Sequence, residues 1–246
     1  MAASLPTAPP LEHIEASSIA GFDGVGLRLY KSPAFPNWQS WLDDAPPKRD
    51  VKRALMASGQ EMNEILSYYL LPDTDLDDMA ASLEYGAALG ATYALVLGRD
   101  PEWNRQRDNF GKFCELAARF DLTAALGAPI GSVSPTSNAL KILDECGRSN
   151  AVTCIGVGPF LRADTPEALR GHNRRLLPIV HLNNGTPEQA VSELLDALNV
   201  NVTLSLEWPA PRGSHYTSVE WAKRAMAGTR QFLHAYHDAR SSSTLE

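Results

Sequence analysis

Apolar and β-branched residues gather into seven short runs along the chain: GVGLRLY at 24–30, MNEILSYYL at 62–70, TYALVLG at 92–98, LTAALGA at 122–128, AVTCIGV at 151–157, LLPIVHLNN at 176–184 and NVTLSLEWP at 201–209. Runs this short, apolar on both faces, predict buried parallel strands. Between them the period lengthens to that of a helix. Residues 76–90 repeat Ala, Leu and Tyr at helical spacing, and Phe110, Phe113, Cys114, Ala117 and Phe120 mark one amphipathic face. Thr165-Pro166-Glu167 and Thr186-Pro187-Glu188 read as helix starts, with Pro where a missing N–H costs nothing. A further short strand near Ala2–Leu5 makes eight strand–helix units of about 30 residues each, the repeat of a single-domain (β/α)8 TIM barrel. An open doubly wound sheet is the rival architecture, and the chain has no G-x-G-x-x-G after its first strand. The barrel is expected over residues 1–240, with 241–246 left out as a tail or cloning scar.

Composition narrows the functional classes. The chain has 246 residues, 44% of them hydrophobic, and a net charge of −7 with its 22 Lys and Arg scattered, so nucleic acid is not an expected partner. It has neither a run long enough for a membrane helix nor a signal-peptide pattern at MAASLPTAPPLEHIE, which reads as a soluble cytoplasmic protein with no membrane partner. Cys114, Cys146 and Cys154 form no C-x-x-C pair and read as reduced core thiols. No motif for nicotinamide, flavin or pyridoxal phosphate is present, so no cofactor is expected. A small-molecule substrate is the expected partner, and a homo-oligomer is left open.

Four segments, GFDGVGLRLY, LPDTDLDDMAASLEYGAALGATYALVLG, FCELAARFDLTAALG and VTLSLEWP followed by SVEWAKRAMAGTRQFL, resemble in order and spacing the xylose isomerase-like sugar phosphate isomerase/epimerase family over residues 14–234. The resemblance implies a divalent cation at the C-terminal mouth of the barrel, held by Glu, Asp, His and Glu on the fifth to eighth strands. Here Gly127 stands in place of the first Glu, and Gly156 and Pro159 replace the sixth strand's Asp-x-x-His. His181 and Glu207 are retained, Asn184 takes a position where an acidic residue is common, and Arg162 matches a frequent arginine.

One His and one Glu leave a hard cation mostly to water, so no metal is expected, and the two-base epimerisation of the family has lost a partner. The catalytic candidates are therefore Glu207 and His181, with Arg28, Arg162, Asn184, Tyr69 and Trp208 as substrate-binding candidates. Glycine and proline at the lost positions would empty the mouth for a bulkier ligand, with Tyr30, Trp38, Trp41, Tyr68 and Phe160 as further lining or as ordinary packing. Glu64 faces the interior or the solvent depending on register, Asp164 most simply opens a helix, and His215 and Tyr216 fall in a loop. The reading is a metal-independent isomerase or lyase that moves a proton next to a carbonyl of a small, aromatic or hydrophobic substrate. The alternatives are a noncatalytic small-molecule-binding barrel and a metal-dependent sugar isomerase/epimerase with substituted ligands.

Overall fold

The computed structural model describes residues 4–5, 8–31, 42, 45–127, 135–165, 169, 173–183, 187–198, 201–211 and 213–243. Each of the seven apolar runs forms a strand: β1 Gly24–Arg28, β2 Glu61–Leu70, β3 Tyr93–Gly98, β4 Thr123–Gly127, β5 Ala151–Gly156, β6 Ile179–Asn183 and β7 Thr203–Glu207. All pair in parallel, in sequence order. Helices α1 Pro10–Ala20, α2 Lys48–Ser58, α3 Ala80–Ala88, α4 Trp103–Ala118, α5 Pro135–Cys146, α6 Val157–Ala163, α7 Glu188–Leu198 and α8 Ser218–Ser243 alternate with them. The architecture is that of a single-domain (β/α)8 TIM barrel. Helix α8 runs into the 241–246 stretch that the sequence pattern leaves out. Among the described residues, no helix is long and apolar enough to cross a membrane.

The side chains that alternate along each strand explain why both faces are apolar. Val25, Leu27, Val96 and Leu126 face the helices on one side of the barrel, and Ile155, Val180, Leu182 and Leu206 do so on the other. The inner face holds a much smaller apolar cluster of Leu66, Leu95, Ala125, Cys154 and Ile179. The interior also holds the buried polar residues Glu64, His181 and Ser205, and the site is there.

The expected strand near Ala2–Leu5 is not seen among the described residues: Ala2 and Ala3 lie outside them, and Ser4 and Leu5 form a turn. Ser4 secures the edge of β7 through its side chain instead. Its Oγ donates to the Leu206 carbonyl at 2.8 Å and accepts from the Trp208 N–H at 2.8 Å. Helix α1 packs against α8, so the outer ring of helices closes across this seam. Between β1 and β7 lies a cavity of about 490 Å³, bordered by Gly24, Gly26, Glu64, Thr203, Ser205 and Thr229.

Candidate active site

Strand period places the polar groups. On β6, Val180 and Leu182 point at the helices, so Ile179, His181 and Asn183 point inward; on β7 the same alternation turns Ser205 and Glu207 inward. The sheet is curled tightly enough for β2 to meet β6 and β7 across the interior. His181 Nε2 lies 3.1 Å from Glu64 Oε2, and His181 Nδ1 lies 3.0 Å from Glu207 Oε1. Ser205 Oγ donates to Glu64 Oε1 at 2.6 Å. Asn183 Nδ2 donates to Glu207 Oε2 at 2.9 Å, and its Oδ1 accepts from the Gly158 N–H at 3.3 Å, which fixes the amide's orientation. The result is a chain of groups from the barrel interior to its C-terminal mouth: Ser205, Glu64, His181, Glu207, Asn183. Glu64 and His181 are buried, whereas the Glu207 side chain is 30% exposed and so meets the mouth.

Charge follows from this geometry. Burial pushes the Glu64 carboxyl up, but the charge and hydrogen bond of His181 and the Ser205 hydroxyl outweigh it and hold it at about 2. Glu207 is likewise held below the usual carboxylate range, where burial is outweighed by His181 and Asn183. Burial alone would lower His181, yet its neighbours raise it well above its ordinary 6.5. Cys154 adjoins the ring, but burial pushes that thiol up and keeps it neutral, so Glu64 and Glu207 carry the effect. His181 is therefore an imidazolium donating from both nitrogens. An imidazolium has no lone pair, so in this geometry both ring nitrogens of His181 donate, one to Glu64 and one to Glu207.

Arg28 ends β1 close enough to both Glu207 and Tyr69 for their charges to act on it, although burial, the larger effect, lowers its pKa. Burial raises Tyr69, against Arg28 and Arg99. Arg162 on α6 is exposed, and its guanidinium reaches Gly158, beside the Asn183 amide at the rim. The structure thus brings together Glu207, His181, Arg28, Tyr69 and Arg162. Asn184 lies outside the described residues, as do Trp38 and Trp41.

Other expected lining residues are placed elsewhere. Trp208 follows an inward Glu207 and so turns outward, its ring against Gly228 of α8. The register irregularity between Ile65 and Tyr68 sends Tyr68 to the helix side, where its hydroxyl meets Ser82 at 2.9 Å and its ring stacks on Tyr30. Phe160 is fully buried in the outer core. Asp164 accepts from Thr136 N–H and the Ser137 hydroxyl, capping the start of α5. Nor does Gly127 empty the mouth, because Leu97 of β3 fills the place its Cβ would take.

Three residues escaped the sequence reading as site members. Asn183 and Ser205 were recoverable, each two residues from a retained site residue and so on the same strand face. Glu64 gave a weaker signal, a carboxylate inside an apolar strand whose face only the register decides.

The residues do not fit the cation that the resemblance implies. Gly127 and Gly156 offer no donor, and both nitrogens of His181 are committed to carboxylates. Among the described residues, no group of three His, Cys, Asp or Glu could hold a metal ion.

Gly26 makes room for Glu64. A Cβ there would lie 2.7 Å from Glu64 Cγ and 3.3 Å from its carbonyl oxygen, below ordinary contact. Gly26→Ala should cost about 1–3 kcal/mol of stability by pushing the carboxylate off His181. Urea unfolding of the variant measures this, and an unchanged midpoint contradicts it.

Stability should peak near pH 6.5. The depressed pKa values of Glu64 and Glu207 contribute stability present above their ordinary 4.5 and lost as pH falls, for Glu64 through about 2. His13 of α1, pushed down to about 3 by burial with help from the Arg28 charge, loses stability in the same direction below 6.5. His181 has the opposite sign: its raised pKa contributes stability present below 6.5 and lost as pH rises through the folded value. A Tm profile tests this, with a level curve above pH 6.5 counting against it, and His181→Asn should remove the alkaline decline.

No protein-family model matches the chain, and no curated protein sequence does. Solved structures do. A xylose isomerase domain-containing protein from Salmonella typhimurium LT2 superposes with a TM-score of 0.74 at 13% identity, over 94% of this chain and 95% of that one. The IOLI protein with a binding zinc atom gives 0.72 at 15% identity, over 96% of each chain. A D-allulose 3-epimerase from Methylomonas sp., in complex with D-allulose, gives 0.68 at 15% identity over 90% of each. The chain spans 40% of the length of a similar but longer structure, a xylose isomerase-like TIM barrel/4-hydroxyphenylpyruvate dioxygenase fusion protein. At these identities the likeness concerns backbone architecture, and on that ground the chain has the TIM-barrel fold of these structures.

Proposed function

We propose that the chain is a metal-independent isomerase or lyase that removes a proton next to a carbonyl of a small substrate, with Glu207 as the base. The observation that carries this reading is a partly exposed carboxylate at the barrel mouth, held from behind by a buried imidazolium and from the side by an oriented amide. Barrel enzymes assemble their sites at this end of the strands. The donors that orient Glu207 also make it a weak base, which sets a condition on the substrate. The C–H bond must be acidified by a carbonyl whose developing negative charge is stabilised, and Arg28 and Arg162 are cations placed to do so. Glu207 takes the proton, the C–H electron pair enters an enolate, and the arginines hold the oxyanion. Where the α-carbon bears a hydroxyl, passage of its proton to the carbonyl oxygen and return of the abstracted proton to the former carbonyl carbon complete an isomerisation; where the β-carbon bears a leaving group, its departure with the enolate electron pair completes an elimination. Glu64, His181 and Glu207 together carry one net negative charge at rest, and the abstracted proton neutralises it.

The likeness to a D-allulose 3-epimerase supports including keto sugars among trial substrates. Aromatic and hydrophobic carbonyl compounds belong beside them. The test is solvent hydrogen exchange: each compound is incubated with protein in D2O and its α-hydrogen followed by NMR, which detects proton abstraction without net turnover. Enzyme-dependent loss of that signal is expected for at least one compound class. The commitment of both Glu207 oxygens to donors is what favours a second reading, a noncatalytic small-molecule-binding barrel. Saturable binding without exchange would establish it in place of the first.

A further inference from the structure

Single apolar side chains on a protein surface are ordinary; several on one face are not. Of the four large apolar residues exposed among the described residues, Leu11 and Ile19 lie on α1 and Met56 lies on α2. The fourth, Tyr216, is covered in part by Trp221 and by the Arg224 guanidinium. Helices α1 and α2 pack side by side. Gln60, just past α2, donates to the Ser17 hydroxyl at 3.1 Å and to the Phe22 carbonyl at 3.0 Å, so the two helices end at the same level. Leu11, Glu15 and Ile19 recur every four residues and form one exposed line on α1. Arg49, Lys52 and Met56 form the corresponding line on α2. The two helices are oppositely charged. Helix α1 carries Glu12 and Glu15 and no Lys or Arg, whereas α2 carries Lys48, Arg49, Lys52 and Arg53 against Asp50 alone. Yet no ion pair joins α1 to α2 among the described residues: Glu12 accepts from the Ser218 hydroxyl, Lys48 pairs with Glu84, and Arg49 and Arg53 share Asp50. Glu15 and Lys52 have no partner among the described residues.

We propose that the α1–α2 face is the interface of a symmetric dimer of this chain. A protein partner of a single charge would be repelled by one of the two helices, whereas a second copy complements both. A two-fold axis through the groove between the helices lays α1 of one copy, antiparallel, over α2 of the other, so each acidic line meets a basic one. Glu15, at the middle of α1, then meets the partner's Lys52. Leu11 comes against the partner's Met56, and Ile19 lies along the aliphatic stem of the partner's Arg49. Apolar contacts thus close both ends of an ion pair, and the symmetry makes every contact twice.

Sedimentation velocity of the full chain tests this, and a dimer is expected at concentrations up to about 100 μM. Met56 is 84% exposed, so Met56→Asp leaves the fold alone. It should raise the Kd of dimerisation by at least about tenfold. Charge reversal then reads the arrangement. Glu15→Lys sets two cations together at each symmetric contact and Lys52→Glu two anions, so either variant by itself should dimerise at least about tenfold more weakly. An equimolar mixture of the two should recover the affinity, because both contacts of the mixed dimer again join opposite charges. A chain that stays monomeric over the whole range overturns the proposal. So does a dimer that Met56→Asp leaves intact, or a mixture that associates no better than its components.

Discussion

Glu64→Leu should lower the unfolding free energy by on the order of 3–5 kcal/mol, measured by urea denaturation near pH 6.5. The carboxylate is buried and accepts from both His181 and Ser205. Leucine removes the acceptor and leaves an imidazolium facing hydrocarbon on one side and a hydroxyl with no partner on the other. Losing one member of a buried charged pair costs far more than the pair contributed, because the remaining charge is still out of water. His181→Leu should also be costly, for it leaves two carboxylates without the cation between them. The double variant Glu64→Leu/His181→Leu should lose less than the sum of the two, since the second change removes the charge that the first one stranded. A Glu64→Leu variant within about 1 kcal/mol of the parent, or strict additivity in the cycle, would show that the buried groups are not coupled.

Glu207→Gln should slow proton exchange by at least about a hundredfold while the fold is kept, given the 10²–10⁴-fold that a positioned base typically supplies. Glutamine preserves the shape and an acceptor for the His181 Nδ1–H, so the loss reads basicity rather than packing. His181→Asn separates orientation from proton transfer. If His181 only holds and charges its neighbour, the variant should retain exchange with a reduced rate and a pH midpoint for Glu207 shifted toward the ordinary carboxylate value. Exchange at near wild-type rate in Glu207→Gln, with Tm unchanged, would remove Glu207 as the base and leave His215 or another mouth residue to be examined in its place.

The strands were legible because burial on two faces leaves continuous apolar runs, and each of the seven runs matches an observed strand to within a few residues. What the runs do not encode is curvature. Nothing in MNEILSYYL or IVHLNNG says that Glu64 and His181, 117 positions apart, will touch; that depends on how tightly the sheet curls, a property of all the strands together. Side-chain direction was readable where a strand is regular, as from Glu207 back to Ser205. It was lost where β2 changes register, so that Glu64 faces the interior and Tyr68, four residues on, faces the helices. The substitution of glycine for a family carboxylate suggested empty space at Gly127, but the volume of a site is set by its neighbours, and Leu97 had taken it.

The hydroxyl of Ser4 joins residues 202 positions apart, and the α1–α8 contact spans a similar length of chain. Contacts of such separation must close a long loop before they return any energy, so they form late on the way to the native state. The edge of β7 should therefore be the last part of the molecule to be secured and the first to come loose. In kinetic terms, Ser4→Ala should steepen nothing in the refolding limb of a chevron and instead raise the unfolding rate by nearly the whole of its stability loss, on the order of 1–3 kcal/mol for a buried donor and acceptor left unmet. The lifetime of the folded barrel is then governed by how firmly Ser4 and α1 are held to β7 and α8, rather than by the density of the core between them.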